Sequence, residues 1–338
     1  YASRICLFKY RSAHKNDLNP TNMDVIVLAG GFGTRLRPWT EKVPKPLLPI
    51  LDKTLIEHVV GIIPESQVSK IIIAAGYGIE KMRDHFSRVN LPYEVEIIEE
   101  TEPLGTGGAI ANCRSHLSGG TFCVINGDLI TSLRVEEMLE FHRSNGGIGT
   151  ISLWEVEDPS RFGVADYRRE NGKIMRFQEK PPIEEAFSNL INAGAYILEP
   201  EIFNLMPKGA HSIERDVYED LAATGGLNGF PFEGWFVDAG TPQSFIEASR
   251  ACILAGSFSS GSIYRDSWFG EGSTNKGEVT SSTIGFGAYI GEGSAVRDSV
   301  VLEGAEIGPN CNIEGCLIGI GARVPEGSIL ESKIVDHG

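Results

Sequence analysis

Four charged side chains stand in or near turns that follow apolar runs, and their types suit phosphate and metal chemistry. Arg35 lies in the glycine-rich turn Gly30-Gly31-Phe32-Gly33-Thr34, directly after the apolar run Asp24–Ala29, and Lys45 follows ten residues later. Glycines remove side chains where a backbone must turn sharply and let a ligand approach it. Amides of such a turn, opening toward a helix, cradle phosphate. Leu28, Gly30, Gly31, Gly33 and Thr34 would thus surround a triphosphate on which Arg35 and Lys45 converge. Asp128, in Asn126-Gly127-Asp128, and Asp238, after Trp235-Phe236-Val237, each close an apolar run. A turn aspartate by itself more often bonds its own backbone. Two of them, completed by substrate phosphates, suit an octahedral magnesium ion.

Two other phosphate motifs fit poorly. A P-loop needs Lys and Ser or Thr after its last glycine, where this chain has Thr34-Arg35. A dinucleotide fingerprint needs its third glycine at the position of Leu36, with Asp52 as the only acidic partner.

The elements that must position these groups read as strand–helix alternation from Asp24 to about Thr241. Strands are expected at Lys70–Ala75, Glu94–Glu99, Thr121–Asn126, Gly149–Glu155 and Ala193–Leu198, with amphipathic helices at Leu55–Ile63 and Glu80–Val89. Such alternation predicts an α/β fold with a mostly parallel, Rossmann-like sheet covered on both faces. Ligands of open sheets bind beyond the carboxyl ends of the strands, which is where the charged residues fall. A helix is expected at Pro242–Leu254. Gly256–Ser281 is rich in Gly and Ser and reads as a linker or cap.

From Thr283 a six-residue period appears: Ile284, Ile290, Val296 and Leu302, then Val301, Ile307 and Ile313, continued with one-residue slips by Ile318, Val324 and Ile329. Short flat strands whose aliphatic residues point into a shared prism explain that spacing. It resembles a left-handed parallel β-helix of about three coils. Such a solenoid suggests assembly into a homo-oligomer.

The chain of 338 residues is therefore divided into a leader or tag over 1–22, expected to be disordered, a catalytic domain over 23–255, a linker over 256–281 and a β-helix over 282–338. Its net charge of −15 argues against a nucleic-acid surface and an anionic membrane face, and no apolar run approaches membrane-spanning length. Six cysteines without a CxxC pair, and histidines without HxxxH or HExxH spacing, give no zinc signature and fit a reducing cytoplasm.

The string GGFGTRL…PKPLLP resembles the signature of the nucleotide-sugar pyrophosphorylases, which join a sugar 1-phosphate to a nucleoside triphosphate. The resemblance runs from Met23 to the end. It implies that Arg35 and Lys45 handle phosphates and that Asp128 and Asp238, in intact GD and DxGTP motifs, hold Mg²⁺. In Phe177-Gln178-Glu179-Lys180-Pro181 it gives Glu179 to the sugar hydroxyls and Lys180 to the sugar phosphate. Gly163, Asn192 and Gly194 would line the sugar, and Glu102–Gly108, with Gly105 and Thr106, would form the base loop.

Guanine offers two adjacent donors, N1–H and the N2 amine, which one carboxylate can accept together, whereas uracil and thymine offer one. Glu99, Glu100 or Glu102 could supply that carboxylate, with Glu100 the candidate carried forward, so GTP is expected. An acidic base loop joined to a β-helix looks most like the mannose-1-phosphate guanylyltransferases. Uridylyl- or thymidylyltransferases of glucose 1-phosphate are the next reading. A non-catalytic assembly subunit of the same fold is a third, disfavoured because Arg35, Lys45, Asp128, Lys180 and Asp238 are all present.

Overall fold

The computed structural model describes residues 22–89 and 91–338, so the expected leader lies, but for Asn22, outside the described residues. A nine-stranded sheet is built from β1 (Met23–Leu28), β2 (Val68–Ala75), β3 (Glu94–Glu99), β4 (Phe122–Asn126), β5 (Gly149–Glu155), β6 (Gly163–Arg168), β7 (Lys173–Glu179), β8 (Leu190–Leu198) and β9 (Leu227–Pro231). Their order is β3-β2-β1-β4-β8-β5-β9-β7-β6. The first four run parallel, and β9 is parallel to β5. β6 and β7 form an antiparallel hairpin, and β8 runs antiparallel to both β4 and β5.

Successive residues of a strand face opposite sides, and here both sides are dry. Val25 and Val27 pack under helices 55–61, 79–86 and 135–145, while Ile26 packs under helix 105–112 and segment 213–222. Two strands start earlier than their apolar runs suggest. β8 begins at Leu190 rather than Ala193, because its pairing with β5 is interrupted between Asn192 and Tyr196, where Gly194 has φ 73°. β2 begins at Val68 rather than Lys70.

The register puts Leu28 beside both Ala74 and Asn126, so β1, β2 and β4 end together. Their following loops therefore meet at one edge. The helix Pro242–Ala255 starts on Thr241, whose hydroxyl accepts from Ser244 N–H at 3.2 Å, with Pro242 at the first helical position. It ends on Gly256 at φ 64°.

The β-helix begins earlier than the sequence suggests. Ser267–Phe269, Thr274–Asn275 and Glu278–Thr280 already run parallel to the next coil, so much of 256–281 belongs to it. Three sheets, two of them four-stranded, make four coils and a closing strand rather than about three. The inward residues Ile284, Ile290, Val296, Val301, Ile307, Ile313, Ile318 and Val324 are spaced 6, 6, 5, which makes a coil of 17 residues. Two residues placed in the inward series lie elsewhere. Leu302 points outward into a core shared with Trp39 and Phe245 of the catalytic domain, and Ile329 is 79% exposed. Ile313→Val should therefore cost about 0.5–1.5 kcal/mol, and Ile329→Ala less than about 0.5 kcal/mol, in denaturant unfolding.

The five cysteines among the described residues are free and buried, and no helix there is long and apolar enough to cross a membrane.

Candidate active site

The glycine turn wraps around Lys45. Gly33 has φ 60°, and a Cβ there would lie 2.9 Å from Thr40 Cγ2 and 3.0 Å from Lys45 Cβ. The Thr40 hydroxyl donates to Gly33 O at 2.9 Å and fixes the turn. Gly31 faces open space, whereas Gly30 lies against Glu100. The helix expected to open at this turn is only a three-residue 3-10 turn, Thr34–Leu36, followed by the four-residue Trp39–Lys42. Pro38, Pro44 and Pro46 interrupt longer helix. An anion at this turn therefore meets loop amides and the side chains of Arg35 and Lys45, with little help from a helix dipole. Leu28 O accepts from Gly127 N–H at 2.8 Å and ties the turn to the neighbouring loop. Thr34 is exposed on the turn.

Asp128 and Asp238 come together through a two-stranded ribbon. Leu129–Thr131 pairs antiparallel with Phe236–Asp238, and Ala239 N–H donates to Asp128 O at 3.0 Å. Lys45 Nζ lies 2.6 Å from Asp128 Oδ2 and 3.9 Å from Asp238 Oδ1. The longer contact is no hydrogen bond, and buried Asp238 Oδ1 has no hydrogen-bond partner. Burial, and then the charge of Asp128, raise the Asp238 pKa. An unpaired buried carboxylate oxygen beside a second carboxylate fits a hard cation. No group of three or more His, Cys, Asp or Glu gathers among the described residues. The protein would thus give a magnesium ion two carboxylates and leave its other positions to water and phosphates.

A cavity of about 680 Å³ runs from Arg35, Asp128 and Asp238 to Gly163, Glu179, Lys180, Asn192 and Gly194. Glu179 ends β7 opposite Gly163 in the hairpin register. Its Oε1 holds Lys180 Nζ at 2.9 Å. Lys180 has φ 49°, a costly conformation for a side-chain-bearing residue. Gly194, at φ 73°, leaves no room for a Cβ, which would fall 2.6 Å from Asn126 Nδ2. Asn192 Oδ1 accepts from Gly194 N–H at 2.9 Å, and its Nδ2 donates to Tyr196 OH at 3.0 Å. One N–H and one lone pair remain for a ligand.

Thr106 lines this cavity, and Gly105 precedes it in the loop that runs on from Glu100. Gly107 and Gly108 N–H both donate to His211 O, and a Cβ on Gly105 would lie 2.5 Å from that oxygen. The Thr106 hydroxyl donates to Glu214 Oε2 at 2.5 Å. A second hollow of about 270 Å³ holds Gly30, Phe32, Tyr77 and Glu99–Pro103. The Phe32 and Tyr77 rings are 5.9 Å apart there, and burial raises the Glu100 pKa.

The Nucleotidyl transferase family matches residues 24–253, and the GlmU-like C-terminal hexapeptide family matches residues 251–333. The chain belongs to the nucleotidyl transferase family. Its reaction is nucleotidyl transfer to a sugar 1-phosphate. The transferase is 33% identical to the probable mannose-1-phosphate guanylyltransferase 1 of Oryza sativa subsp. japonica, over 93% of this chain and 86% of that protein. It is 32% identical to the mannose-1-phosphate guanylyltransferase of Mycobacterium tuberculosis, over 91% and 83%. Among solved structures, HddC from Yersinia pseudotuberculosis complexed with GMP-PN has a TM-score of 0.57 at 31% identity, covering 67% of this chain and 98% of HddC. A putative glucose-1-phosphate thymidylyltransferase from Bacillus anthracis has a TM-score of 0.62 at 29% identity, covering 71% and 98%.

The transferase's cavity also contains Arg161, which opens the family element Arg161-Phe162-Gly163-Val164, and three residues the motifs do not mark: Tyr196, Glu214 and Arg215. Glu214 is the hub. Besides Thr106, it accepts from Ser212 Oγ at 2.6 Å and Tyr196 OH at 3.3 Å. It begins a π-helical turn, Glu214–Tyr218, a form often found at functional sites. Replacing the buried Glu214 with Gln weakens bonds to a charged acceptor. It should cost the transferase about 1.5–3 kcal/mol, read in denaturant unfolding.

Proposed function

We propose that this chain transfers the guanylyl group of GTP to mannose 1-phosphate, releasing pyrophosphate. A phosphate oxygen of the sugar 1-phosphate attacks the α-phosphorus, and the bond from that phosphorus to the bridging oxygen of the β-phosphate breaks. The attacking oxygen is already anionic, so no Ser, Cys or His nucleophile is needed. Catalysis then consists of placing two polyanions and countering charge on the leaving pyrophosphate.

Arg35 and the Gly30–Gly33 amides hold the β- and γ-phosphates, and Lys45 stabilises the reacting phosphates. Lys180, fixed by Glu179, draws in the sugar phosphate. Gly163, Gly194 and Asn192 form the floor against which the hexose lies. Asp128 and Asp238 would hold Mg²⁺, which when bound polarises the α-phosphate. The reading rests on one arrangement: two carboxylates that line one cavity with a Glu–Lys pair and are approached by the buried Lys45. GTP is supported by Glu100 beside the glycine turn in the smaller hollow, where a carboxylate can accept both donors of guanine. Mannose is supported by the likeness to the mannose-1-phosphate guanylyltransferases of Oryza sativa and Mycobacterium tuberculosis.

Assembly of copies through the β-helix and action in the cytoplasm complete the proposal. The experiment is pyrophosphate release with magnesium, crossing four nucleoside triphosphates with mannose, glucose and N-acetylglucosamine 1-phosphates. GTP with mannose 1-phosphate should stand above every other pair, and a preference for UTP or dTTP would overturn the base assignment.

A further inference from the structure

The last coil of the β-helix does not end in solvent. It closes on the short segment between Arg35 and Lys45. Trp39, fully buried, donates its Nε1–H to Val335 O at 2.8 Å. Its ring stacks on His337 at 5.5 Å with an interplanar angle of 19° and meets the edge of Phe245 at 6.0 Å. Lys42 Nζ pairs with Asp336 Oδ2 at 3.0 Å and donates to His337 O at 3.0 Å. His337 is itself held, its Nδ1 accepting from Ile320 N–H at 2.8 Å.

The other flank of the segment is tied to the loop that follows β2 and the helix after it. Tyr77 OH donates to Glu41 O at 2.9 Å, and Lys81 Nζ donates to Lys42 O. Between these flanks Thr40 fixes the Gly33 carbonyl, and Gly33 packs on Lys45. A shift of Trp39 is therefore a shift of the turn that carries Arg35 and of the stem that carries Lys45.

We propose that Val335, Asp336 and His337, through Trp39 and Lys42, are positioning residues for the triphosphate site of the same chain. The β-helix is then part of the scaffold of that site, in addition to any role in assembly. Buried packing that over-determines a loop is the means by which groups are held in productive geometry. The contacts reach the phosphate end alone, since Glu179, Asn192 and Gly194 stand on β7 and β8. The proposal rests on the reading that Arg35 and Lys45 hold the triphosphate.

The test uses the full chain with Asp336→Ala and His337→Ala combined, and separately with Trp39→Phe, which keeps a smaller aromatic ring and loses the N–H. Steady-state kinetics are measured with each substrate varied in turn. The combined variant should lose about tenfold or more in kcat/KM for the triphosphate, because ångström-scale misplacement of positioned groups costs up to about a hundredfold. Its KM for the sugar 1-phosphate should not change. Trp39→Phe should show the same selective pattern, smaller in size. Asp298→Ala serves as a control, because it cuts another contact between catalytic helix and β-helix, Arg250 Nη2 to Asp298 Oδ1 at 3.0 Å, away from the turn. It should leave both substrates' kinetics unaltered.

Unchanged triphosphate kinetics in the folded combined variant would overturn the proposal. So would an equal rise in KM for both substrates, or the same loss in Asp298→Ala. Lys45→Ala separates the two readings. If it is silent, the triphosphate assignment itself fails, whereas a dead Lys45→Ala beside silent tail variants removes only the positioning role.

Discussion

Lys45→Met should lower kcat/KM about 10²–10³-fold, equivalent to about 2.7–4 kcal/mol of transition-state stabilisation, by analogy with removing one oxyanion donor. The size follows from where the ammonium lies. Its side chain is 10% exposed and within 2.6 Å of Asp128, so its field is little screened by water. Methionine keeps the stem's volume and loses only the charge, which separates electrostatics from packing around Gly33. A second effect falls on stability. With the ammonium gone, Asp128 and Asp238, whose pKa burial and Asp128 already raise, keep only Arg161 and Arg35 as counter-charges, so the folded state should weaken when magnesium is withheld and recover when it is added. Thermal unfolding with and without magnesium measures this beside pyrophosphate release. Near-normal turnover in Lys45→Met would remove the residue from the mechanism.

The second large effect is expected for Asp128→Asn combined with Asp238→Asn. Amides keep the shape of the ribbon and lose the two negative charges that would hold the ion. Turnover should fall below about a thousandth of the parent's, since transition-state charge stabilisation of several kcal/mol goes with it. The magnesium-dependent rise in unfolding temperature expected of the parent should vanish. In Asp128→Asn alone, Lys45 keeps only the 3.9 Å approach to Asp238. Because the Asp128 side chain is 36% exposed, water screens part of the loss, and the stability cost should be about 1–2 kcal/mol. Full activity of the double variant in EDTA would defeat the metal assignment.

Much of this site was legible because its residues stand at element ends, where the sequence carries punctuation. Gly33, Asp128 and the Thr241-Pro242 cap each mark a turn whose geometry demands that residue type. β3 and β5 were found at their observed bounds because their apolar runs are bounded by charges or glycines. Glu214 was not legible: its carboxylate is used inward, on the neighbouring Ser212 hydroxyl and on those of Thr106 and Tyr196 from other elements. No local spacing announces such a hub. Leu302 and Ile329 misled because a six-residue period fits both possible registers, and only the 17-residue coil separates them. The motif marked Thr106, but not the bond its hydroxyl donates to Glu214.

The ribbon that joins Leu129–Thr131 to Phe236–Asp238 also has a meaning for biosynthesis. Asp128 and Asp238 lie 110 residues apart, and bringing them together closes a loop costing about 4 kcal/mol of chain entropy. A nascent chain emerging from the ribosome carries the glycine turn, Lys45 and Asp128 long before Asp238 is made. During that interval it lacks the second acid, and the lysine and first aspartate have only each other. The last strand of the nine-stranded sheet ends at Pro231, before Asp238 is made, so on the proposed metal assignment a half-made chain should not consume nucleotide.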